Sequence, residues 1–143
     1  MNGEPLPPPT GLSVAKRQHA ATTVGDYALF GGGSGGTNAT VIVEAYDKSL
    51  TRTSAPNLSV GRWYLTATTI GDFALFAGGD TSLSPSYSKV VDAYDTSLTR
   101  TTANEMSAGR YYLAATTVGD YALFGGGRGA DVRSAAVDVY TIV

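Results

Sequence analysis

The side chains best equipped for recognition chemistry fall in three short clusters. These are Lys16-Arg17-Gln18-His19, Arg62-Trp63-Tyr64 and Arg110-Tyr111-Tyr112. A guanidinium grips a carboxylate or phosphate through paired hydrogen bonds, and an aromatic face stacks on a sugar or a peptide side chain. Tyr87 and Arg128 add the same chemistry further along. The residues needed for covalent or metal chemistry are scarce. With no cysteine and one histidine, thiolate zinc, iron–sulfur and His-rich sites are excluded within one chain. No Ser-His-Asp set, recurrent carboxylate pair or Asp-x-Asp-x-Asp-Gly calcium loop is present. An enzyme would have to draw on scattered residues such as His19, Asp80 and Asp131, so none is expected, and no cofactor. Gly31-Gly32-Gly33-Ser34-Gly35-Gly36 fits Gly-x-Gly-x-x-Gly in letters, but no helix follows it to hold a phosphate. The net charge of −2 argues against nucleic-acid and anionic-membrane partners. Asn38-Ala39-Thr40 and Asn57-Leu58-Ser59 match the glycosylation triplet by chance on this reading, because Met1–Pro5 lacks the basic and apolar regions of a signal peptide. A cytoplasmic location is therefore the default.

The elements that must carry these clusters follow from internal repetition. Thr22–Gly33 recurs unchanged as Thr116–Gly127, with a near copy at Thr68–Gly79. The Gly-Asp pairs at 25, 71 and 119 set spacings of 46 and 48 residues. Each glycine run is followed by a second block: Glu44-Ala45-Tyr46-Asp47, Asp92-Ala93-Tyr94-Asp95, then Asp138-Val139-Tyr140. Thr, Val, Tyr and Phe crowd these stretches and helical periodicity is absent, so they read as strands. Strands A (Ala20–Val24) and B (Tyr27–Gly31) flank a Gly-Asp hairpin turn. Strand C is expected at about Val41–Tyr46 and strand D at about Leu50–Ser54, with Asp47 and Asp95 opening the C–D turn. The same reading repeats at 66–79, 90–94 and 98–102. Four short antiparallel strands per unit make a propeller blade, and the chain is all-β with three of them. At 143 residues it is long enough to bury a real core. The divisions are a Pro-rich leader at 1–11 and blades at 12–57, 58–105 and 106–143.

These motifs resemble the kelch repeat. In that pattern an Arg opens strand A, a diglycine ends strand B and Asp-x-Tyr lies in strand C. The matching residues are Arg62 and Arg110 (Lys16 in the first unit), then Gly32-Gly33, Gly78-Gly79 and Gly126-Gly127. Asp92 with Tyr94 and Asp138 with Tyr140 follow, and Glu44 with Tyr46 stands in the first unit. The usual strand-D Trp is absent and Leu50 and Leu98 are nearest, so this is a divergent, compact subclass. The resemblance implies that the D–A and B–C loops share one face where ligands bind. It places the three recognition clusters at the D–A ends and the B–C loops at Ser34–Thr40, Asp80–Ser88 and Arg128–Arg133. The candidate ligand residues are Lys16, Arg17, His19, Arg62, Trp63, Tyr64, Tyr87, Arg110, Tyr111, Tyr112 and Arg128. The repeated Arg also fits a framework role, tying neighbouring blades together. Some kelch-like propellers are copper oxidases with Tyr, His and Cys ligands, a set this chain cannot assemble. One threonine of each pair 22–23, 68–69 and 116–117 is expected to face the central channel, as a ring of hydroxyls holding water.

Three blades leave two apolar faces open. Two chains closing a six-bladed ring is the simplest solution and the usual kelch number. The third unit reaches Val143 without its own strand D, and residues 3–10 lie where a D strand would precede the first blade. The leader of one chain is therefore expected either to complete the last blade of the other or to stay disordered or polyproline-like. The functional expectation is a non-catalytic scaffold that binds itself and a protein, peptide or glycan. The alternative is a purely structural half-propeller, a fragment or engineered piece with no ligand.

Overall fold

A computed structural model describes residues 3–83, 86–130 and 132–142. It contains eleven strands in three antiparallel sheets, and none of the described residues is helical. Blade 1 holds β1 (Ala20–Val24), β2 (Tyr27–Gly31), β3 (Val43–Tyr46) and β4 (Arg52–Ala55). Blade 2 holds β5 (Thr66–Ile70), β6 (Phe73–Ala77), β7 (Val91–Tyr94) and β8 (Arg100–Thr102). Blade 3 holds β9 (Ala114–Val118), β10 (Tyr121–Gly125) and β11 (Val137–Thr141). Each sheet is a meander whose neighbours in sequence are neighbours in space.

The expected hairpins form as read. Gly25, Gly71 and Gly119 take φ of 53°, 53° and 54°, the left-handed conformation a two-residue turn needs and glycine adopts without strain. The C–D links depart from expectation. Strand D starts at Arg52, not Leu50, because Asp47 Oδ1 accepts from the amides of Ser49 and Thr51 at 2.9 and 3.0 Å. That turn holds Leu50 at a φ of 62°, outside the sheet. Asp95 builds the same turn around Leu98. Strand C is shorter than expected, starting at Val43 and Val91.

The blades pack face to face along the chain. One core joins blades 1 and 2 through Val24, Leu29, Val43 and Ala45 against Leu65, Ala74, Phe76 and Tyr94. A second repeats this between blades 2 and 3 through Ile70, Leu75, Val91 and Ala93 against Leu113, Ala122 and Phe124. The inner strands β1, β5 and β9 run side by side and their threonines stitch them. Thr22 Oγ1 lies 2.6 Å from Thr69 Oγ1, and Thr68 Oγ1 lies 2.9 Å from Thr117 Oγ1. Thr69 Oγ1 donates to Thr23 O, and Thr117 Oγ1 to Thr69 O at 2.7 Å. These hydroxyls bond blade to blade, a use that strand alternation alone did not reveal.

Candidate binding face

Strand ends and loops meet on one face. The residue after each framework cation bridges the B–C loop of its own blade: Arg17 to Ser34 and on to Ala39, Trp63 to Asp80 and on to Tyr87, Tyr111 to Arg128 and on to Arg133. Cross-strand partners project to the same side of a sheet. Each trio therefore presents three side chains together. The D–A and B–C segments are joined, as the kelch pattern implies.

Arg62 and Arg110 lie beneath this face. The Arg62 guanidinium is fully buried, with Nη2 2.6 Å from Asp92 Oδ2 and Nη1 donating to Gly78 O and Val90 O at 2.9 and 2.8 Å. Asp92 also accepts from Ser59 N and Oγ and pairs with Arg100 at 3.0 Å. Burial pulls the Arg62 pKa down and the adjacent carboxylate pushes it back. Arg110 repeats the clasp on Gly126 O, Ala136 O and Asp138. In blade 1, Lys16 Nζ reaches Ile42 O at 3.2 Å and Glu44 replaces the aspartate. Burial lowers the Lys16 pKa, opposed by Glu44.

The main chain of the same arginines joins the blades. Gly33 N donates to Arg62 O and Gly79 N to Arg110 O, each at 2.7 Å. This is why a diglycine ends strand B. A Cβ at Gly32 or Gly78 would meet those carbonyls at 2.7 Å, and both residues sit at positive φ, 71° and 69°. Arg62 and Arg110 therefore position the loops, and their charge is spent inside the blade.

The side chains that remain on this face are mostly aromatic. Tyr64 and Tyr112 occupy equivalent positions with Gln18, and all three hold left-handed φ, 57°, 60° and 61°. Such φ values are strained for non-glycine residues and cluster at functional sites. Gln18 Nε2 donates to Tyr64 Oη at 2.7 Å, and the Tyr64 and Tyr112 rings are 4.1 Å apart. Tyr112 is exposed, and its hydrogen bond with Tyr64 pushes its phenol pKa up. Tyr87 stacks on Tyr111 across the blade 2–blade 3 boundary, at 5.4 Å and 9°. Trp63 Nε1 and Asp80 Oδ1 are buried atoms without a hydrogen-bond partner. Arg17 and Arg128 are exposed on their trios. Asp131 lies outside the described residues. His19 sits apart, half-buried against Phe30, with Nδ1 unpartnered and its pKa lowered by burial and then by Lys16. Among the described residues no group of three or more His, Cys, Asp or Glu side chains is placed to hold a metal. Sequence reasoning missed the strained φ positions and the part played by Asp80. Only the repeat alignment, which sets Gln18, Tyr64 and Tyr112 in register, could have pointed to the former.

Blades 1 and 3 each leave one face open, and the faces are opposite halves of the internal junction. Val24 and Ile70 are 1% and 3% exposed, and their equivalent Val118 is 63% exposed. Val43 and Val91 are 1% and 0% exposed, and Val137 is 55% exposed. On blade 1, Ala28, Phe30, Tyr46 and Leu50 line a groove of 470 Å³ with Pro8, Pro9 and Leu12.

No family model matches the chain, and no curated protein matches it. Among solved structures, one titled "Structure of YjhT" is similar, with a TM-score of 0.78 and 17% identity over 92% of this chain. The match spans 44% of that protein, so this chain is less than half its length. The likeness, with the three meander sheets, establishes propeller blades. The kelch name rests on the sequence motifs alone.

Proposed function

We propose that the chain is a non-catalytic binding scaffold of kelch type that closes a six-bladed ring with a second copy of itself and presents the Tyr64–Tyr112 face to a protein, peptide or glycan. The observation that carries this is the pairing of unused groups. The bond made by Gly33 N with Arg62 O, and by Gly79 N with Arg110 O, leaves Gly127 N–H and Lys16 C=O without backbone mates among the described residues. Tyr64 N to Gln18 O and Tyr112 N to Tyr64 O leave Gln18 N–H and Tyr112 C=O. Each leftover donor sits on one open face and its acceptor on the other. Val118, Val137 and Val139 supply the apolar half for the groove at Phe30 and Tyr46.

The leader follows the same logic. Thr10 O accepts from Tyr46 Oη at 2.8 Å, as Pro56 O does from Tyr94 and Asn104 O from Tyr140, each at 2.7 Å. Residues just before Thr10 thus align with strand D. Ala103 N donates to Val91 O at 2.9 Å, and the equivalent leader residue is Pro9, with Pro7 two places before. Proline has no N–H to donate, so an exchanged leader would hold β11 through its carbonyls alone.

Light scattering across a dilution series tests the ring. The expected mass is twice 14.7 kDa; a persistent monomer overturns it. A second reading has further blades of a longer polypeptide closing the same faces, favoured by the longer chain of the YjhT structure. It predicts that this 143-residue chain stays monomeric or associates without a fixed stoichiometry. The binding face is tested by Tyr112→Ala and Trp63→Ala, expected to lose a captured ligand while keeping the dimer mass.

A further inference from the structure

At the seam where two copies would join, the side chains are not those of the internal junctions. Ala15–His19 differs at every position from Gly61-Arg62-Trp63-Tyr64-Leu65, a segment that Gly109–Leu113 matches at four of five. Inside the chain, the last member of the blade 2 trio, Tyr87, stacks on the first member of the blade 3 trio, Tyr111. The same positions at the seam are Arg133 of one copy and Arg17 of the other. Arg128, the middle member of the blade 3 trio, stands beside Arg133 where blade 2 has Asp80. All three arginines are exposed, and no ion pair joins any of them to another described residue.

We propose that each seam is an oxyanion site, binding a multivalent carboxylate or phosphate between Arg17 of one copy and Arg128 and Arg133 of the other. This rests on the two-copy ring. Guanidiniums brought to the separation of a stacked tyrosine pair repel one another unless an anion lies between them. The planar fork of each matches two oxygens of a carboxylate or phosphate. Neither half holds the ligand alone, so anion binding and ring closure are thermodynamically linked and each strengthens the other.

The test measures the monomer–dimer equilibrium of the full chain by sedimentation equilibrium, in sodium chloride, citrate and tripolyphosphate at matched ionic strength. Citrate or tripolyphosphate is expected to lower the dissociation constant roughly tenfold beyond chloride. The better of the two identifies carboxylate or phosphate as the preferred chemistry. Arg17→Gln and Arg133→Gln should each abolish that gain while still dimerising in chloride. Arg17→Glu should dimerise more tightly in chloride than the unaltered chain, because it pairs with Arg133 directly, and should gain nothing from citrate. A dimer indifferent to both polyanions, or an Arg17→Gln chain that responds as before, overturns the site and leaves the ring standing. A chain monomeric in all three salts overturns the ring and the site together.

Discussion

Arg62 and Asp92 are both fully buried and face each other at 2.6 Å. Removing one partner of such a pair strands a charge in the interior, at a cost of about 3–5 kcal/mol. Asp92→Ala should lower the unfolding free energy by an amount in that range, measured by urea unfolding. Glu44→Ala should cost less, because its ion-pair partner Arg52 is half-exposed and keeps water. A partly buried tyrosine sets an alkaline limit. Burial, then the Asp138 carboxylate, pushes the Tyr140 phenol from 10.0 up to about 12; Tyr94 moves in the same direction. The folded chain holds these protons more tightly than the unfolded one. Their contribution is therefore complete below pH 10 and is lost as pH rises from 10 towards 12. Thermal melts over that range should fall steadily, and Tyr140→Phe should flatten part of the fall.

At the scale of the strand and loop, the open face of blade 3 is the element most open to a clean test. Val139 is exposed on β11 and supports no internal core. Val139→Asp should leave the melting of the isolated chain within about 0.5 kcal/mol of normal and yield a monomer by light scattering. Ala15 gives the opposite prediction. Gly61 and Gly109, its equivalents, approach Ala39 O and Tyr87 O so closely that a Cβ would lie at 2.9 and 2.4 Å. In the proposed ring Ala15 would set a Cβ against the second copy where glycine stands inside the chain, so Ala15→Gly should lower the dimer dissociation constant. Strands A and B were legible residue by residue, because a Gly-Asp turn between alternating apolar runs admits one register. Strand D was not, because the Asp47 side chain captures two amides and carries Leu50 out of the ladder. The loop face was legible as a location. The framework role of the repeated Arg was legible from its recurrence; its partner was not, since the carboxylate that holds Arg62 lies 30 residues further on.

At the largest scale the described residues form three sheets in a row, and the middle one is covered on both sides. Stability in such a row is approximately a sum of unit and junction terms, and that dictates a sequence of opening events. A terminal blade can detach by breaking one junction; the middle blade must break two. Amide hydrogens on β5 and β6 should therefore exchange slowest, and those on β9, β10 and β11 faster, because among the described residues that sheet holds three strands and packs on one neighbour. In a dilution series this gradient is itself a reporter. Where two copies close a circle no blade is terminal, and the difference in exchange between the middle and end sheets should shrink as concentration rises, at an unchanged rate for the threonine-stitched inner strands of blade 2.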